Sequence, residues 1–156
     1  MDSYNDNSDL KHKITDYIDY NLERVSKPFI AFFKEEYGLT LNQVSLIWYL
    51  RRIEKMSMTK CSEKMYMTKQ QTTQLVENLV KKELIARVYP KLNRRVIEIV
   101  LSEKGIEVIN DIEIRYTKKF VDETKKLNEG EIEEFFKAIE IINNILPKLD
   151  FHTKNI

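Results

Sequence analysis

Gln70, Thr73, Gln74 and Glu77 recur at steps of three, one and three residues, so a helix would carry them on one face. A glutamine amide presents a donor beside an acceptor and suits bidentate pairing with adenine in a major groove. Threonine bonds a base edge or touches a thymine methyl. Thr68 and Lys69 stand just before them, where the unpaired N–H groups of a helix start, together with an ammonium, attract a phosphate. Gln71 completes the tetrad Thr68-Lys69-Gln70-Gln71, the pattern of a capping box. Lys91, Asn93, Arg94 and Arg95 follow in a polar turn led by Pro90. A guanidinium in such a turn can enter a narrow minor groove and read its width and potential.

Other chemistry is poorly provided for. The three glycines, Gly38, Gly105 and Gly130, are scattered, which excludes the glycine-rich phosphate loops and the nucleophile elbow. A single cysteine, Cys61, permits no internal disulfide and no cysteine-built zinc site, and its spacing with Met65 assigns it to a buried stripe. His12 and His152 lie near opposite ends, without partners at ligand spacing. No nucleophile–base pair is visible, so the expectation is a protein that is no enzyme and uses neither metal nor cofactor. The longest apolar runs, such as Phe29 to Phe33, are far shorter than the roughly 20 residues of a membrane span. A cytoplasmic protein with no membrane partner is expected.

The elements that must position these residues follow from periodicity. Leu10, Ile14, Tyr17, Ile18, Leu22, Val25, Phe29 and Phe32 predict an amphipathic helix from about Ser8 to about Glu36, kinked or divided by Pro28. Gly38 ends it, and the capping box Thr40-Leu41-Asn42-Gln43 opens a second helix. Ser57 caps a short third helix through about Met65. Thr68 starts a fourth, with Thr72, Leu75, Val76 and Leu79 turned to the core. These last two make a helix-turn-helix. Ile85 to Tyr89 and Arg95 to Leu101 read as a β-hairpin around the basic turn. Ser102 caps a long helix, Asn128-Glu129-Gly130-Glu131 interrupts it, and a last helix carries Ile139, Ile142, Ile145, Leu146 and Leu149. The class is mainly α with a small β-hairpin wing: a winged helix-turn-helix flanked by N- and C-terminal helices apolar enough to dimerise. Charge agrees. Residues 51–100 carry twelve Lys/Arg against five Asp/Glu, whereas the rest of the chain is net acidic. A basic centre between acidic flanks outlines a polyanion-binding module.

This order resembles the MarR family of bacterial transcriptional regulators over nearly the whole chain, most sharply from Ser57 to Gly105. The resemblance rests on the capped helix running from Thr68 to Lys82, the wing triplet Asn93-Arg94-Arg95 and the closing Leu101-Ser102-Glu103-Lys104-Gly105. Asn93 replaces the family's wing aspartate, Ser102 keeps the N-cap of the usual threonine, and Glu83 stands at a frequent glycine, predicting a left-handed residue there. The resemblance implies a homodimer that binds double-stranded DNA at a pseudo-palindromic operator, with residues 1–38 and 106–156 dimerising and 39–105 binding DNA. It also implies release by a small aromatic or phenolic anion bound around Phe29, Phe33, Tyr37, Trp48 and Arg51 or Arg52. The alternative is a winged-helix protein-interaction module without DNA binding.

Overall fold

The computed structural model describes residues 7–90 and 96–149. The first amphipathic stretch is helical throughout but changes gauge. Helix α1 (Asn7–Tyr20) passes through a π-helical turn (Asn21–Ser26) into α2 (Lys27–Tyr37). The expected break therefore falls just ahead of Pro28. Proline offers no N–H to the carbonyl four residues back and its ring crowds that turn, and the wider π turn accommodates both. Gly38, at φ 61°, ends α2 in the left-handed conformation that glycine adopts without steric cost. Thr40 then opens α3 (Leu41–Ile53) with a complete capping box to Gln43.

Strand β1 (Lys55–Ser57), α4 (Met58–Lys64), α5 (Lys69–Lys81), β2 (Ile85–Val88) and β3 (Glu98–Leu101) make the winged helix-turn-helix. The sheet is antiparallel in the order β1-β3-β2, with Met56 opposite Ile99 and Arg87 opposite Ile99 from the other side. Sequence periodicity missed β1. The hairpin strands are also shorter than expected, since Tyr89, Val96 and Ile97 lie outside the ladder. Ile97 instead accepts a backbone bond from Met58. Helix α6 (Glu103–Thr124) follows Ser102, and α7 (Glu129–Ile145) starts from an Asn128–Glu131 capping box.

The chain divides into two compact units, Met1–Ile112 and Glu113–Ile156. The first holds every fully buried apolar side chain among the described residues, including Phe33, Leu46, Ile47, Leu50, Val76, Leu79, Ile99 and Ile109. The second has α7 and the end of α6, where Phe120, Phe135 and Phe136 stack in series with centroids 5.7 and 5.8 Å apart. None of its described residues is buried.

Candidate nucleic-acid interface

Helix α5 is organised by its first turn. Thr68 Oγ1 accepts from the Gln71 N–H at 3.2 Å, and Gln71 Oε1 accepts from the Thr68 N–H at 2.9 Å. That reciprocal cap is typically worth about 1 kcal/mol. It also commits the Gln71 carbonyl, so Gln71 acts first as a cap. Thr72, Leu75, Val76 and Leu79 are buried, while Gln70, Thr73 and Gln74 are exposed. Gln74 Nε2 donates to Asn78 Oδ1 at 3.1 Å, and Thr73 Oγ1 donates to the Lys69 carbonyl at 2.9 Å. Both contacts hold the outward side chains in place, and the Gln74 carbonyl still accepts. Glu77 turns sideways, its Oε1 lying 3.9 Å from Arg87 Nη2 on β2.

The turn into α5 and the turn out of it share one design. Met67 N–H bonds the Ser62 carbonyl and Tyr66 N–H bonds that of Glu63. After α5, Leu84 N–H bonds Leu79 and Glu83 N–H bonds Val80. These are two Schellman closures, whose left-handed residue is usually glycine. Here the residues are Tyr66 at φ 51° and Glu83 at φ 62°. The expectation for Glu83 is met, whereas no residue pattern pointed to Tyr66. Glu83 is tied down: Lys104 Nζ lies 2.9 Å from its carboxylate and Ser102 Oγ donates to its carbonyl. The lysine's hydrogen bond and charge hold the Glu83 carboxyl below the usual carboxylate range. Ser102 Oγ in turn accepts from the Gly105 N–H at 2.9 Å, capping α6 as expected.

Lys91, Asn93, Arg94 and Arg95 lie outside the described residues. Cys61 is fully buried, and burial pushes its thiol up to about 11, so it is a core thiol and poorly nucleophilic. Among the described residues, no group of three or more His, Cys, Asp and Glu could hold a metal ion. No described helix is long and apolar enough to cross a membrane.

A half-open cavity of about 310 Å³ lies between α2 and α3, walled by Phe29, Leu41, Ser45, Trp48, Tyr49 and Arg52. Of the residues expected at an effector site, it brings together Phe29, Trp48 and Arg52, the second of the two arginines named. Phe33 packs beneath as core, fully buried with its ring edge-on to Phe29 at 4.3 Å. Tyr37 donates its hydroxyl to Asp111 Oδ2 at 2.7 Å instead. Arg51 is exposed and is not part of the wall; its neighbour Arg52 is. Tyr49 was missed. The stripe Leu41, Ser45, Trp48 and Arg52, at steps of four, three and four, would have pointed to Arg52 over Arg51, because one residue rotates a helical side chain by about 100°.

The sequence model of a family described as Transcriptional regulator SarA/Rot matches residues 28–112. The HTH-type transcriptional regulator YsmB of Bacillus subtilis (strain 168) is 28% identical over 104 residues, which cover 67% of this chain and 71% of YsmB. A MarR family protein from Bacillus stearothermophilus superimposes with a TM-score of 0.71 at 23% identity, over 93% of this chain and 99% of that one. Streptococcus pneumoniae FabT, solved in complex with DNA, gives 0.68 at 20% identity, over 90% and 99%. The fold is therefore the MarR-type winged helix.

Proposed function

The chain belongs to the SarA/Rot family of transcriptional regulators, and from that membership we propose that it binds double-stranded DNA sequence-specifically as a homodimer. Regulators of this family and fold are not enzymes. The observation that carries the DNA reading is α5 itself. Its inner stripe is buried, and its outer face offers Gln70, Thr73 and Gln74 at the centre of the chain's basic segment. In this reading Gln70 and Gln74 read bases in a major groove, Thr68 and Lys69 hold a phosphate, and the hairpin reaches the adjacent minor groove with Lys91, Asn93, Arg94 and Arg95. FabT, of the same fold, was solved with DNA, which supports this partner.

The dimer is supported by surface that a monomer leaves wet. Ile14, Tyr17 and Ile18 of α1, and Phe136, Ile142 and Ile145 of α7, are each between 39% and 56% exposed. Pairing two chains over such stripes gives an isologous interface and a pseudo-palindromic operator with half-sites about one helical turn apart. The cavity at Trp48 suits a small aromatic or phenolic anion, with apolar walls, the indole N–H and Tyr49 hydroxyl as polar handles, and the Arg52 charge. Such a ligand releases DNA only as far as it prefers the conformation with mismatched helix spacing.

The test begins with duplexes selected from a random pool, followed by binding across a salt series. A DNA binder loses affinity log-linearly with salt, whereas a hydrophobic protein-interaction module is nearly indifferent. Gln70→Ala and Gln74→Ala should each cost about 1–3 kcal/mol on the selected site and relax preference at one position. Unchanged preference across all single-base variants of the site rejects this reading face.

A further inference from the structure

Arg87 is the one residue of the wing root whose guanidinium is left poorly matched. Its Nη2 stands 3.9 Å from Glu77 Oε1, beyond hydrogen-bond reach, and its Nε is buried without a partner among the described residues. Beside it a cleft of about 480 Å³ opens between α4, α5 and the sheet, with Thr59, Ser62, Lys69, Thr73, Glu77 and Arg87 in its wall. The Ser62 and Thr73 hydroxyls are spent on carbonyls of their own helices, Met58 and Lys69. An occupant therefore meets the Lys69 ammonium, the Arg87 guanidinium and the Thr59 hydroxyl, with Met58 and Ile97 as apolar wall, opposed by a single carboxylate. Two cations against one acid favour an anion.

The position of the cleft says which anion. A major groove and its neighbouring minor groove are separated by one sugar–phosphate strand. With α5 in the first and the hairpin in the second, that strand must pass over the notch between α5 and β2, where the cleft lies. We infer that the cleft seats a DNA backbone phosphodiester, with Arg87 as its principal ligand and Lys69 as the second charge. Glu77 holds the guanidinium in place without saturating it, and the phosphate takes over that role on binding. The inference rests on the DNA-binding reading above and adds Arg87, Thr59 and Glu77 to it.

The two residues should respond with opposite sign. Arg87→Gln keeps the stem as far as Cδ and a polar end, and removes the charge. It should weaken binding to the selected site and to a scrambled duplex by the same factor, roughly tenfold. The slope of log affinity against log salt should become less negative by about 1. Glu77→Gln should tighten binding to both duplexes about two- to fivefold. That gain should vanish in the Arg87→Gln background, because Glu77 acts through Arg87. A gain that persists there is general charge repulsion and overturns the seat. Wild-type affinity and slope in folded Arg87→Gln overturn it too, as does a loss confined to the selected site. An unchanged DNA slope with weaker protection of the protein by inorganic phosphate marks a free-anion site instead. If Arg87→Gln does not fold, Arg87→Met, which keeps the aliphatic stem, takes its place in the same comparisons, and a Glu77→Gln gain that persists in that background overturns the seat. Wild-type protein that binds no duplex at any salt removes the DNA reading itself, which separates the two failures.

Discussion

Among the described residues, three side chains, Glu54, Tyr66 and Glu83, occupy the positive-φ backbone that normally selects glycine. Glu83 is anchored to α6 through Lys104 and Ser102, so its side chain and carbonyl both contribute there. Tyr66, at φ 51°, projects into solvent with 74% of its surface exposed, in the turn that aims α5. A bulky L-residue in the left-handed region costs about 1–2 kcal/mol, against about 0.5–1 kcal/mol of chain entropy lost when glycine is ordered. Tyr66→Gly should therefore raise the free energy of unfolding in urea by about 0.5–1 kcal/mol. A drop in stability would show that the ring contributes more to the fold than its exposure suggests. Cys61 illustrates the opposite case, where a reactive residue type is made inert simply by burial.

At the scale of elements, α6 is pressed onto the winged lobe at one residue. A β-carbon on Gly105 would lie 2.0 Å from the Leu84 carbonyl oxygen and 3.3 Å from Leu101 Cδ2. The glycine is needed for close approach of helix to backbone, since its own φ is ordinary for a helix. Neither the Leu84 carbonyl nor the Ser102 cap can move without loosening the closure after α5, where Leu84 and Ser102 are bonded to each other. Gly105→Ala should cost about 1–3 kcal/mol in urea unfolding, with overpacking as the cause. Because the shift is transmitted to the end of α5, DNA affinity should fall along with stability. An unchanged midpoint would mean that α6 can back away at no cost.

At the scale of the molecule, burial is lopsided. The winged unit has a complete core, whereas Glu113–Ile156 buries none of its described residues and exposes Phe136, Ile141, Ile142, Ile145 and Leu146. A second copy, as proposed above, would cover this surface. Truncation at Asn143 should leave the winged unit folded by circular dichroism and make the protein monomeric by sedimentation. Affinity for the full palindromic site should fall by about 10²-fold or more, because the second half-site is no longer tethered to the first. A monomer that retains full affinity removes the dimer from the mechanism.

What could be read from residue order alone was local. The buried stripe of α5 and the caps at Thr40, Ser57 and Thr68 all depend on neighbours within about five positions, where helix geometry dictates who meets whom. Three features came only from the folded chain. Strand β1 is three residues long, too short to show an alternation, and exists because β3 offers it a ladder. The Tyr37 hydroxyl bonds Asp111, a partner 74 positions away, while its ring stays edge-on to Phe32. Arg87 meets Glu77 across the lobe, placed there by the register of β2 on β3 and by the packing of α5 against the sheet. Contacts between elements depend on how their surfaces approach in space, and no periodicity within either element encodes the other's position.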